Sequence, residues 1–255
     1  ILIIPFMKNR STKSIFLDLK KLSKFDNSKK KLSFKFESEL LDYHSHLKNF
    51  SSQHYKVFEE LARKLNLQDS IYDLFNGEIV NKTENRQALH HQYRNNQTTS
   101  EFDFKKITEP FIKRIKKDGF KNIITFGIGG SYEGPKLLQE FTNKESFKFN
   151  YYFVSGPDKD EFNSILKPIS DQKNFYIFSS KSLSTDETLA CLRWLGAKRD
   201  STNSIVITAN IEKAKTLGFS ENCIVPFPKT VGGRYSIWSP ISLSAALENN
   251  FSKFL

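Results

Sequence analysis

From Lys121 to Pro228 short apolar runs alternate with amphipathic segments, and this rhythm constrains the fold more than any other feature. "KNIITFGIGG" reads as a strand running into glycines, and "SYEGPKLLQEF" starts a helix. "FNYYFVS", "NFYIFSS", "SIVITAN" and "CIVPFP" read as further strands, separated by the helical segments "DKDEFNSIL", "STDETLACLRWLGAKR" and "IEKAKTLG". After the last strand, "IWSPISLSAALENN" resumes helical spacing. Strands that alternate with helices of about ten residues predict βαβ units and a parallel sheet covered on both faces. The expected fold class is therefore α/β, a three-layer, doubly wound, mostly parallel sheet over residues 96–255.

A mainly helical segment, residues 1–95, is expected to precede the sheet. Residues 8–35 are basic and weakly patterned. Between 36 and 75 the apolar residues recur at helical spacing, with Phe58, Leu61, Ala62 and Leu65 on one stripe. Gly77 and Asn81 break that pattern, and residues 84–94 and 108–118 read as helix again. Asp118-Gly119 ends the latter, with glycine as its expected cap. The 24 Phe and 9 Tyr supply large side chains for a core in a chain whose apolar content is otherwise low.

In open α/β sheets ligands sit outside the carboxyl ends of the strands, so the loops there carry the chemistry. Three of them invite an anion. The first is "GIGGSYEGPK", residues 127–136, where three glycines in four positions permit a tight turn before a helix N-terminus. A dinucleotide fingerprint would need glycine where Tyr132 stands, and a P-loop would need Lys-Ser/Thr where Pro135 and Lys136 follow. The turn serves either a ligand or strand–helix packing. The second is "SSKSLSTDET", residues 179–188, where six hydroxyl residues surround Lys181. Ser184 and Glu187 have capping-box spacing, so a helix should start there. Hydroxyls, backbone N–H groups and the helix dipole together make a phosphate cradle, whereas N-capping alone would account for one hydroxyl. The third is "VGGRYS", residues 231–236, where a glycine pair presents Arg234. Such an arginine suits negative charge that develops in a reaction, or else pairs with a structural carboxylate.

These residues resemble the glucose-6-phosphate isomerase (phosphoglucose isomerase) family. "TENRQALH" (83–90), "FGIGGSYEGP", "SSKSLSTDET" and "VGGRYSIWSPISL" match the family's motifs in the family's order, and the last is highly specific. The resemblance covers residues 80–255 and departs from the family's pattern at Ser182, Glu133, Lys229 and Ser242. It implies the first of two sugar-isomerase (SIS) domains, the second being absent from 1–255. It places Gly130 and Ser131 against the sugar. Ser180, Lys181, Ser182, Thr185 and Thr188 would hold the phosphate, and Arg234 would stabilise an enediolate. The implied reaction interconverts glucose 6-phosphate and fructose 6-phosphate, as in glycolysis and gluconeogenesis, with no metal or organic cofactor. A homodimer is implied for the full-length enzyme. The family's base Glu, ring-opening His and Lys have no matching segment here, so residues 1–255 alone are expected to be inactive. His90 falls in a structural motif, and His91 reads as a solvated or packing residue. His44, His46 and His54 read as lying on a surface helix, and Asp158, Asp160 and Glu161 as a solvated helix start.

Two other classes stand beside this one. A non-catalytic SIS-type module would sense a phosphosugar, but it has no use for an arginine aimed at reacting carbons. A nucleic-acid binder would suit the net charge of +11, yet the basic residues are dispersed apart from a run at 20–35, and no nucleic-acid motif is present. Cys191 and Cys223 lack metal-ligand or disulfide spacing, which suits a reducing cytoplasm. "ILIIPF" is too short for a signal peptide, and no apolar run approaches a membrane span. The chain starts with Ile1 and its only Met is Met7, which fits a start at Met7 or a fragment.

Overall fold

The computed structural model describes residues 11–22, 33–37, 39, 42–46, 52–94, 99–141, 147–196 and 200–248. It divides into two compact units, Ile1–Asn76 and Gly77–Leu255. The boundary expected at 95/96 thus falls inside the second unit, because Leu89 and Tyr93 pack into that unit's core.

In the first unit an antiparallel strand pair stands within the segment expected to be mainly helical. Helix α1 spans Thr12–Leu22, and strands β1 (Ser33–Glu37) and β2 (Asp42–His46) pair antiparallel before helices α2 (Ser52–Lys64) and α3 (Leu67–Asn76). "SFKFE" alternates with a period of two, which suits a strand and overrides the helical spacing seen over the longer window. His44 and His46 therefore lie on a strand, and His54 is buried on α2 rather than on a surface. The Phe58–Leu65 stripe begins on α2, and Leu65 follows its last residue.

The second unit follows the alternation in the sequence. Its elements are α4 (Phe104–Lys117), β3 (Asn122–Phe126), α5 (Gly130–Glu140), β4 (Asn150–Val154), α6 (Lys159–Leu166) and β5 (Asn174–Ser179). They continue with α7 (Asp186–Leu195), β6 (Ser204–Thr208), α8 (Ile211–Thr216), β7 (Ile224–Pro226) and the short α9 (Leu243–Ala246). Helix α4 starts earlier than expected because the Asp103 side chain caps it by accepting from the Lys106 N–H. The Asp118 N–H closes its end on the Arg114 carbonyl, and Gly119 follows at φ 68°. Residues 84–94 are helical only in a 3₁₀ turn, His90–Arg94. Before that turn the chain folds back through an Asn81–Arg86 bridge, with the Asn81 carboxamide accepting from the Glu84 N–H. "IWSPISLSAALENN" is also mostly not α-helix: Ser239 caps a 3₁₀ turn at Pro240–Ser242, and only four residues follow as α9.

The five strands are all parallel, in the order β4-β3-β5-β6-β7. Every residue of β3, β5 and β6 is buried, which is why these strands read as near-continuous apolar runs. One face carries Ile123, Phe175, Ile177, Ile205, Ile207 and Val225, packed against α4, α9 and Leu138 of α5. The other carries Ile124, Phe126, Tyr176, Phe178, Val206 and Ile224, packed against α6, α7 and α8. The chain leaves β3 for β4 on one side and returns to β5 on the other. The helices after β3 and β5 consequently diverge to opposite faces and open a crevice at the carboxyl ends of these two strands, the topological switch point.

An amide chain fixes the register at the opposite ends. Asn122 is opposite both Asn150 and Asn174. Asn150 Nδ2 donates to Asn122 Oδ1 at 3.0 Å, and Asn122 Nδ2 donates to Asn174 Oδ1 at 2.7 Å. Asn174 Nδ2 in turn donates to the Ile169 carbonyl at 2.9 Å. A one-residue slip would break these bonds and turn every buried side chain to the wrong face. Asn122→Leu leaves the buried Asn174 carboxamide without its donor and Asn150 without its acceptor, so it should lower the unfolding free energy by ~2 kcal/mol. The expected readout is a lower urea midpoint at an unchanged slope; an unchanged midpoint would show that the amide chain does not hold the register.

Candidate functional site

The crevice at the switch point is bordered by the first two of the three anion-inviting loops. The glycine turn follows β3, and Gly129 caps α5 at φ 55° without a side-chain bond. Gly130 and Ser131 are half-buried in the first turn. The requirement for glycine at 130 is steric, because a Cβ there would overlap the Gly233 carbonyl. The glycine turn and the Gly-Gly-Arg turn are therefore in backbone contact, about a hundred residues apart in sequence, and Ser236 Oγ lies 3.5 Å from the Gly130 carbonyl oxygen.

The hydroxyl loop follows β5. Ser180 is buried, and its Oγ accepts from the Leu183 N–H at 3.2 Å and lies 3.3 Å from Thr185 Oγ1. Leu183 takes a left-handed backbone, φ 51°, and buries its side chain in the core. The neighbouring strand end fixes the loop from the other side: the Lys181 carbonyl accepts from the Ala209 N–H and from Thr208 Oγ1, each at 3.0 Å. Ser182 is exposed, and its hydroxyl bonds that of Ser184 at 2.6 Å. The capping box expected from Ser184 and Glu187 does not form. Ser184 is taken up by Ser182, and α7 begins one residue later with Thr185 at the cap position and no side-chain cap bond. Thr188 Oγ1, in the first turn of α7, is buried without a hydrogen-bond partner among the described residues. A helix start with an unfilled cap and an unsatisfied hydroxyl favours an incoming anion. Asp186 and Glu187 occupy the same turn and compete for its positive end.

Arg234 lies in a 3₁₀ turn, Gly233–Tyr235, held by Ser236 Oγ donating to the Gly233 carbonyl at 2.7 Å. Its side chain is exposed and has no ion-pair or hydrogen-bond partner among the described residues, so the structural carboxylate pairing is not realised there. Tyr235 stacks on His90, with centroids 4.4 Å apart and planes at 15°. Burial, then His91 and Arg86, hold the His90 imidazole pKa below its ordinary value.

The segment 83–90 belongs to this site, although its motif alone did not reveal its task. Arg86 Nε donates to Glu84 Oε2 at 2.6 Å, and Lys181 Nζ stands 3.9 Å from the same oxygen. Arg86 Nη1 donates to the Thr230 carbonyl at 3.0 Å, just before the Gly-Gly-Arg turn. The two residues are 144 positions apart, so the bond leaves no local pattern to read. Burial and the nearby Arg86 charge pull the Lys181 pKa below the ordinary lysine value, while Glu84 acts against them.

The remaining candidates stay outside. Asp158 caps α6 by accepting from the Asp160 and Glu161 N–H groups, as a solvated helix start should. Cys191 and Cys223 are free and buried, and burial pushes the Cys191 thiol up to about 11. Among the described residues no group of three or more His, Cys, Asp or Glu is placed to hold a metal. No described helix is long and apolar enough to cross a membrane.

Two outcomes are expected. Glu84 should titrate near pH 2, held down first by the Arg86 hydrogen bond, so its contacts persist through the ordinary carboxylate range and are lost only as pH falls through about 2. A side-chain carboxyl NMR titration with a midpoint above 4 would show that the Arg86 bond does not form. Gly130→Ala should destabilise by ~1–3 kcal/mol through overpacking, in denaturant unfolding. Gly233→Ala, whose Cβ would have open space, should stay within about 0.5 kcal/mol.

Comparison with known proteins places this geometry in context. The phosphoglucose isomerase family profile matches residues 42–255. The glucose-6-phosphate isomerase of Buchnera aphidicola subsp. Cinara cedri is 32% identical over 80% of this chain and 42% of its own length. That of Buchnera aphidicola subsp. Schizaphis graminum is 30% identical over 98% of this chain and 49% of its own. The chain thus spans about half the length of the curated relatives it matches. Among solved structures, the glucose-6-phosphate isomerase of Chlamydia trachomatis shares the fold with a TM-score of 0.63 at 20% identity, over 81% of this chain and 44% of that one.

Proposed function

The chain belongs to the phosphoglucose isomerase family, and from that premise we propose that it supplies the phosphosugar-binding part of an aldose–ketose isomerase. The substrates in this reading are glucose 6-phosphate and fructose 6-phosphate. One observation carries it: the glycine turn and the hydroxyl loop border the same switch-point crevice, and the Gly130–Gly233 contact brings an unpaired Arg234 to that end of the sheet.

The roles follow from the chemistry. The phosphate sits at the start of α7, where Ser182 and Thr185 offer hydroxyls and Lys181 a charge. Ser180, buried beneath, orients that turn by accepting from the Leu183 N–H, and the Thr188 hydroxyl, unpartnered among the described residues, is left for the phosphate. Gly130 and Ser131 line the sugar side. Isomerisation moves a proton between neighbouring carbons through an enediolate, and negative charge gathers on the oxygens. A fixed guanidinium that is not already neutralised by a carboxylate stabilises that charge without reorganising. A mere phosphosugar sensor would need the hydroxyl loop but not such an arginine, so Arg234 favours the isomerase over the regulatory module. The groups that move the proton are not supplied by the matched motifs of 1–255, so this chain binds and orients without turning over. The second unit is in this reading a first SIS domain, and the full-length enzyme a cytoplasmic homodimer.

Residues 1–255 should bind glucose 6-phosphate in calorimetry and leave it unconverted; production of fructose 6-phosphate by this chain would overturn the division of labour. In a full-length enzyme carrying these motifs, Arg234→Ala should lower kcat about 10²–10³-fold, as removal of an oxyanion donor does. Replacing Ser182 and Thr185 together by Ala should instead raise KM, because they act on the ground state. A fall in kcat at unchanged KM would remove them from the phosphate.

A further inference from the structure

We propose that Arg86 is a positioning residue, which clamps the turn carrying Arg234 and ties it to the phosphate loop. The proposal rests on the reading of Arg234 as the group that meets developing charge. Arg86 itself is too enclosed to serve as a freely presented cation, its side chain being 16% exposed. Two nitrogens of its planar fork bond protein groups. Nε donates to Glu84, and Nη1 donates to the carbonyls of Gln87 at 3.2 Å and Thr230 at 3.0 Å. The Thr230 carbonyl also accepts from the Leu89 N–H at 3.1 Å. A Cβ at Gly232 would stand 3.1 Å from Arg86 Nη2 and 3.4 Å from the Tyr235 ring, so the turn is drawn down onto the guanidinium.

The grip is applied on both sides of Arg234 and leaves Arg234 free. Thr230 and Gly232 are held before it, and Tyr235 is stacked on His90 after it. The segment 84–90 supplies each of these contacts. Its other end, Glu84, faces Lys181 of the hydroxyl loop. One carboxylate between two cations leaves a net positive charge, which suits a phosphate at Lys181 better than a neutral pair would. A lysine at 86 would keep the charge but could not reach Glu84 and two carbonyls with one planar group. A displacement of the Arg234 guanidinium by about 1 Å is enough to cost up to about 10² in rate, so an arginine that never touches substrate can control turnover.

The test separates positioning from stability and from the proposed function. Hydrogen exchange by mass spectrometry on residues 1–255 should show amides 230–236 exchanging about tenfold faster in Arg86→Ala, with the strands of the sheet unchanged. Unchanged exchange at 230–236, or equal acceleration across the whole unit, would overturn the proposal. Should Arg86→Ala fail to fold, Arg86→Lys decides: faster exchange confined to 230–236 supports the clamp, and wild-type exchange refutes it. In a full-length enzyme with the same motifs, Arg86→Lys should lower kcat about 10–10²-fold with KM for glucose 6-phosphate within about threefold. Wild-type kcat, or a rise in KM alone, would refute it. If the wild-type chain binds no glucose 6-phosphate, the functional reading falls while the exchange measurement still decides the clamp.

Discussion

The site depends on one topological constraint, the reversal of strand order around β3. Because β4 adds on one side of β3 and β5 on the other, the connecting helices must leave on opposite faces. No side chain has to be excluded from the crevice that results; the backbone path opens it. What makes the reversal stable is burial on both faces of β3, β5 and β6, and an amide chain that permits one register at the other end of the sheet. The loops at the carboxyl ends inherit that fixed spacing.

On this frame the loops brace one another chiefly through backbone and polar contacts. Gly130 and Gly233 touch main chain to main chain, which no side chain would permit. The carbonyl of Lys181 is held by the end of β6, which leaves the Lys181 ammonium and the exposed Ser182 and Ser184 hydroxyls on the outer side of the loop. Arg86 joins the two systems through carbonyls and a carboxylate. The result is an anion-friendly surface whose own charges are unevenly satisfied: Arg86 is engaged through Nε and Nη1, Lys181 is only loosely faced by Glu84, and Arg234 has no partner among the described residues. Such a gradient separates groups that build a site from groups available to a ligand.

The sheet was legible in the sequence because its signals are local. Buried parallel strands leave continuous apolar runs, and Gly119 marks the end of a helix by its backbone freedom. The helical expectation failed where side-chain or backbone bonds outweighed periodicity. Asn81 folds residues 81–86 back on themselves, Ser182 diverts the hydroxyl that would have capped α7, and β1 and β2 pair across a window that reads as helix when averaged. The three anion-inviting loops were recognisable by composition, but composition could not decide between ligand and packing. At Gly130 packing alone already demands glycine; at Thr188 an unsatisfied buried hydroxyl points to a ligand.

By itself the sequence determined the alternation of elements, the places where glycine frees the backbone, and the residue types able to meet an anion. Each follows from interactions within a few residues. Tertiary structure alone decided which loops become neighbours and which charges are spent. The Arg86–Thr230 bond spans 144 residues, and the meeting of Gly130 with Gly233 depends on the return of the chain from β7 to β3. Contacts of that range leave no periodic trace in a sequence, because their geometry is set by the packed sheet between them.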